Sequence, residues 1–209
     1  MGRPKEPPSV PVRRRTASDQ VSAALLHAAE AVLDREGTGG VTIRAVAGEA
    51  AVAPMSVYNR FDNKDGLLTA LAVRALDELA EAIKTPSEIE PVARFRQACR
   101  SYRDYALEHP ARYGLIFTNG SPLEDQSSAV AAQGRVVFGV LIELIRVLLA
   151  EEPGTDLTEA AQAVWSAVHG AVTIDIAGIA QTSDTATSYD YLLDLLIAGL
   201  TSVRHQPRK

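Results

Sequence analysis

Residues 54–64, PMSVYNRFDNK, gather Met, Ser, Tyr, Asn, Arg and Lys side chains able to read the surface of another molecule. The chain is only 5% aromatic, yet Tyr58 and Phe61 stand three residues apart here. On a helix, Val57 and Phe61 lie at i and i+4, so they share a face that can close onto neighbouring helices. Met55, Ser56, Asn59 and Arg60 fall mainly on the other side, with Tyr58 at the margin. Ser56 and Asn59 can hydrogen-bond base edges, and Met55 can contact a thymine methyl. Tyr58, Lys64 and the amino end of a helix starting at Thr42 suit phosphate oxygens. Arg44 can reach a guanine or a phosphate. Periodicity alone leaves a second reading open, because any amphipathic surface helix has a solvated polar face.

Other reactive groups are sparse. The four histidines, His27, His109, His169 and His205, do not pair with one another or with Cys99 at metal-ligand spacing, so no metal or other cofactor is expected. No catalytic triad or paired-carboxylate motif stands out. Gly37-Thr38-Gly39-Gly40 is too short for a phosphate loop and lacks its Lys-Ser/Thr ending. The sequence therefore reads as a non-enzyme. His169, with Trp165 and Asp175, places polar atoms in an apolar stretch, where burial demands partners. Two roles fit: a satisfied core or interface network, or a ligand pocket also lined by Tyr102, Tyr105, Tyr113, Phe117 and Phe138.

The elements that must position these groups are helical throughout. A first helix follows Thr16-Ala17-Ser18-Asp19, with Val21, Leu25, Ala28, Ala29, Val32 and Leu33 at 3, 4 spacing, and Gly37 ends it. Thr42 caps a short second helix whose inner face is Ile43, Val46 and Ala47. Residues 50–53 make a tight turn, and Pro54 opens a third helix. Asp62-Asn63 caps a fourth, running to about Lys84. Further helices are expected near 89–108, 110–117, 125–151, 157–180 and 188–205, separated by polar or Pro/Gly-containing breaks. Two short helices joined by a tight turn, the second with a hydrogen-bonding outer face, match a helix-turn-helix.

Composition sets the outer limits. At 209 residues and 46% hydrophobic, the chain can bury a sizeable core. A single cysteine excludes an internal disulfide framework and fits a reducing, cytoplasmic compartment. The net charge of −5 argues against binding nucleic acid with the whole surface. Residues 1–16, however, carry Arg3, Lys5, Arg13, Arg14 and Arg15 against Glu6, which is +4 and leaves −9 for the rest. This basic, Pro-rich arm is either a phosphate-contacting segment or a solvated tail. The start of the chain lacks an apolar signal-peptide core. AVWSAVHGAVTIDIAGIA, residues 163–180, is apolar, but His169 and Asp175 argue for a packing helix rather than a membrane span.

The order of residues 42–68, TIRAVAGEAAVAPMSVYNRFDNKDGLL, resembles the DNA-binding signature of TetR-type (tetracycline-repressor-like) transcriptional regulators. The matching elements are Thr42, Val46-Ala47, Val57-Tyr58-Asn59-Arg60-Phe61, Lys64 and Leu67-Leu68. There are two departures: Ala51 stands where the family commonly has a turn glycine, and Arg60 replaces a frequent histidine. Residues 163–178 resemble the Trp…His-Gly helix of one subgroup's regulatory domain, and HPARYGLIF at 109–117 occurs in similar company. The resemblance implies an all-α fold of about nine helices: a three-helix DNA-binding head, a connecting helix and a larger helical-bundle regulatory body. It divides the chain into an arm at 1–16, a DNA-binding domain at 17–68 and a ligand-binding and dimerisation domain at 69–205.

By that resemblance DNA contact passes to Thr42, Arg44, Pro54, Met55, Ser56, Tyr58, Asn59, Arg60 and Lys64. The implied function is a ligand-responsive repressor that binds a palindromic operator as a homodimer and is released by a small molecule. The helices near 157–180 and 188–204 would form the dimer interface, where Ala160, Ala163, Ala167, Gly170, Ala171 and Gly178 permit close approach. An intrasubunit core role for the same helices is the alternative. A helical small-molecule-binding protein or enzyme, its head used for protein contact, is the competing functional class.

Overall fold

The structure, a computed structural model, describes residues 17–118, 120–150 and 155–203. The basic arm and His205 lie outside the described residues. Among the described residues there are nine α-helices and no strand. They are α1 (Ala17–Gly40), α2 (Ile43–Glu49), α3 (Pro54–Phe61), α4 (Lys64–Ala82), α5 (Pro91–Glu108), α6 (Pro110–Phe117), α7 (Ala129–Leu148), α8 (Leu157–Ile176) and α9 (Thr185–Val203), with a 3-10 turn at Pro122–Glu124. The fold is all-α, as expected.

Local chemistry sets the boundaries. Gly37 adopts φ 71°, ψ −178°, which interrupts α1 before its last residues and is open to glycine at little steric cost. Thr42 Oγ1 accepts the Ala45 N–H at 3.1 Å, and Asn63 Oδ1 accepts the Gly66 N–H at 2.9 Å, so α2 and α4 both start on side-chain caps. Prolines open α3, α5 and α6, where a missing N–H is harmless. The helix expected from 125 starts at Ala129, because Ser128 caps it and the 3-10 turn takes up the preceding residues. The helix expected from 188 starts earlier, at Thr185.

Two apolar cores share α4, α6 and α7. In the head, Leu25, Ala29, Val32 and Leu33 of α1 meet Val46 of α2, Val57 of α3 and Leu67 and Leu71 of α4. Val21, expected on that inner face, is instead 53% exposed; it lies one turn before Leu25, the first buried leucine of the stripe. The body core joins Leu79 of α4 and its C-cap residue Ile83 to Phe95, Tyr102, Ile145, Val168 and Leu193 of the later helices. Fully burying each such side chain contributes about 1.5–3 kcal/mol. Leu115 and Ile116 of α6 pack into the head core, while α6's Tyr113 packs into the body core. α4 and α6 therefore tie head and body together.

Charges reinforce that junction. Arg112 on α6 binds Asp34 of α1 at 2.7 Å and Glu78 of α4 at 2.8 Å. The Asp34 hydrogen bond, with Glu78 adding to it, holds the Arg112 guanidinium charged above its ordinary range. Arg74 of α4 pairs with the buried Glu30 of α1. No helix among the described residues is long and apolar enough to cross a membrane.

Candidate nucleic-acid interface and body cavity

The turn between α2 and α3 is built by backbone hydrogen bonds. Val52 N–H donates to the Ala47 carbonyl at 2.9 Å and Ala51 N–H to the Gly48 carbonyl at 3.1 Å. This is a Schellman arrangement, and its left-handed residue is Ala51 at φ 52°. The conformation that a glycine would supply is thus reached by an alanine, at a backbone cost of about 1–2 kcal/mol.

α3 presents its two faces as the spacing predicts. Val57 is fully buried and Phe61 half-buried against the head core, while Met55, Tyr58, Asn59 and Arg60 are exposed. Ser56 is half-buried at the edge. Met55 is 63% exposed. Pro54 at the start of α3, Thr42 and Arg44 at the start of α2, and Lys64 at the start of α4 are exposed as well. Thr42 Oγ1 uses one of its two lone pairs on the α2 cap, and its O–H is left to donate outward.

The α3–α4 junction is tightly built. Asp62 has φ 61°, and Asn63 N–H donates to the Phe61 carbonyl at 2.6 Å across it. A Cβ on Gly66 would collide with that carbonyl oxygen, so only glycine fits. This junction sets Lys64 and the α4 amino terminus beside α3.

In the body, a cavity of about 400 Å³ opens between α4, α5, α7 and α8. Of the expected pocket residues, Tyr102, Phe117, Phe138 and Trp165 line it. Tyr105 does not: its hydroxyl donates to the Ala75 carbonyl at 2.9 Å. Tyr113 and His169 stand behind the wall in a polar cluster. Tyr113 Oη lies 2.5 Å from His169 Nδ1 and 2.9 Å from Tyr102 Oη. Burial lowers the His169 pKa, so its ring is held neutral, and burial pushes Tyr102 up to about 12. His169 faces a smaller adjoining recess that shares Phe117 and Trp165 with the main cavity.

Asp175 is not part of the histidine cluster. It pairs with Arg103 at 2.9 Å, and Arg103 also donates to Thr185 at 2.9 Å, joining α5, α8 and the start of α9. The sequence reading missed the aliphatic wall, including Leu76, Leu79, Leu141 and Leu144, and the mouth residues Gln126, Arg135 and Gln162. The wall leucines carry no signal separating a cavity from a packed core. Arg135 did carry one, as the only charge in the first three turns of α7.

Residues 25–71 match the family of bacterial regulatory proteins called tetR, and residues 95–196 match the tetracyclin repressor-like C-terminal domain. The chain belongs to the TetR family. An uncharacterized HTH-type transcriptional regulator of Mycobacterium tuberculosis, Rv0681, is 29% identical over 183 residues, covering 85% of this chain and 80% of that protein. The HTH-type transcriptional regulator Rv1816 of the same organism is 27% identical over 143 residues, covering 64% of this chain and 59% of the relative. A protein of unknown function from Rhodococcus sp. RHA1 has the same fold, with TM-score 0.73 at 23% identity over 92% of this chain and 100% of that one. A TetR variant from Acinetobacter baumannii, solved in complex with minocycline, gives TM-score 0.62 at 26% identity over 88% and 98%. This TetR-family chain is a DNA-binding transcriptional regulator rather than an enzyme, and α2–α3 is its helix-turn-helix.

Proposed function

We propose that this regulator is a ligand-responsive repressor that binds a palindromic operator as a homodimer in the cytoplasm. The observation that carries the reading is the exposed face of α3, anchored from behind by Val57 and Phe61. Ser56, Asn59 and Met55 read base edges there, while Tyr58, Lys64 and Thr42 hold phosphates. Arg44, Pro54 and Arg60 complete the contact surface.

Two heads need a dimer to engage both half-sites, about one helical turn of DNA or a multiple apart. The outer faces of α8 and α9 favour that assembly. Ile174, Tyr191 and Leu195 are exposed there, and Ala163, Ala167 and Gly170 leave room for a close partner. Ala160 and Ala171 pack instead against the body's own core.

α4 supplies the route for a ligand signal. Its Leu76 and Leu79, with the C-cap residue Ile83, face the cavity, and the same helix begins at Lys64 on the DNA face. At 1.5 Å per residue the two ends are about 28 Å apart on one rigid element. A small molecule in the cavity releases DNA only by favouring the α4 position that the DNA complex disfavours.

Mobility-shift titration against DNA flanking the gene tests the reading. A specific shift is expected. Ser56→Ala and Asn59→Ala should change sequence preference, whereas Tyr58→Phe and Lys64→Ala should weaken binding across sequences. Lys64→Ala should also reduce the salt slope by about one. A folded dimer with no preference for any flanking fragment would overturn the proposal.

A further inference from the structure

The cavity's chemistry points to a class of effector. Its wall is apolar and uncharged: Trp165, Phe138 and Phe117 face leucines from α4 and α7. Cys99 also lines it, and burial holds that thiol protonated, its pKa pushed up to about 12. The Tyr102 hydroxyl is already committed to Tyr113 and His169. Polarity is confined to the mouth, where the exposed Gln126, Gln162 and Arg135 stand together. Arg135 is the one charged residue on the cavity's lining, and no carboxylate lines it. The guanidinium donates to the Gln126 carbonyl at 3.3 Å, a long bond that uses one of its five N–H groups. Among the described residues Arg135 forms no ion pair.

We infer that the effector is an anionic amphiphile, its apolar body in the Trp165–Phe138 cavity and its acidic head group at Arg135. The inference rests on the reading of the cavity as the effector site. The placement follows from desolvation: an anion carried into the apolar interior loses its hydration without compensation, whereas at the mouth it keeps water and gains a charge-assisted bond. A volume of about 400 Å³ sits at the small end of ligand sites, which span roughly 300–1,000 Å³. The head group can be a carboxylate or another singly charged acid; dodecanoate serves as the probe.

Trp165 is the only tryptophan of the chain, so its emission reports on this cavity and the recess that adjoins it. Titrating the full-length protein below the probes' aggregation limits should give saturable changes with dodecanoate, and binding at least tenfold weaker with dodecan-1-ol. Arg135→Gln should remove that difference, costing dodecanoate tenfold or more and leaving dodecan-1-ol unchanged. Arg135→Lys should restore part of it. Equal affinities for acid and alcohol in the wild type would overturn the head-group assignment while leaving the cavity intact. The neutral dye N-phenyl-1-naphthylamine separates the two failures. If it binds and dodecanoate does not, the anionic class is wrong. If neither perturbs Trp165 in protein of normal helicity, the cavity reading itself falls.

Discussion

The head and the body of this regulator use buried apolar residues to opposite ends. In the head, Val57 and Phe61 fill a core so that the residues around them can face outward. In the body, Trp165, Phe138 and their aliphatic neighbours stop short of filling the interior, and the space they leave is the feature of interest. A head of this kind is set by backbone positions, because its function lies on a short helix held at a fixed angle. A body of this kind is set by side-chain volume. Each part is vulnerable in its own way: the head to changes at turns, the body to changes in bulk.

The largest expected effect is at the α3–α4 junction. Gly66→Ala puts a methyl group against the Phe61 carbonyl oxygen, which the backbone cannot yield cheaply. It should lower stability by about 2–4 kcal/mol in urea unfolding and abolish operator binding at temperatures where the body remains helical. Normal stability would show that the junction is loose and that the head is not set by its turns.

One substitution made in both cores sharpens the contrast. Ala29 is fully buried in the filled head core, whereas Ala131 is buried beside the cavity. Ala29→Leu should cost about 1–3 kcal/mol by overpacking. Ala131→Leu should change stability by less than about 1 kcal/mol while excluding the naphthylamine dye. Equal costs at the two sites would mean that the body holds no usable space.

At the α2–α3 turn the change should be favourable. Ala51→Gly relieves the left-handed strain but adds backbone freedom to the unfolded chain, so the net gain is about 0.5–1 kcal/mol. A higher thermal midpoint with unchanged DNA sequence preference is the expected result. Destabilisation would place the strain elsewhere.

The smallest effect concerns His169, and its direction follows from burial. The folded pKa lies below the ordinary 6.5, so below that pH the unfolded chain takes up a proton that the folded chain refuses. Stability should therefore fall as pH drops below about 6.5. His169→Gln should lose less than wild type between about pH 7.5 and 5.5, measured by urea midpoints. Parallel losses would show that the histidine is hydrated in the folded state.

Legibility differed between the same two regions. Thr42, Pro54, Asn63 and the alternation of Val57 and Phe61 with polar neighbours are local signals, and each produced the cap, start or face that its chemistry demands. The cavity had no such signature. Tyr102, Phe117, Phe138 and Trp165 were legible as aromatic candidates, yet Tyr105 and Tyr113 look the same in sequence and point elsewhere. Asp175 and His169 are neighbours along α8, yet Arg103, 72 positions away in sequence, holds the Asp175 carboxylate.

What the sequence determined alone is therefore everything carried by short-range chemistry: the helical class, the ends of the head helices, the inward and outward sides of α3, and the family signature between Thr42 and Leu68. Tertiary structure decided the rest. Which tyrosines met a cavity, and where Arg135 and Asp175 found their surroundings, depended on helices distant along the chain. Helix faces follow from a period of 3.6 residues, which a sequence displays directly. A void is the space between several such faces, and no single stretch of residues encodes it.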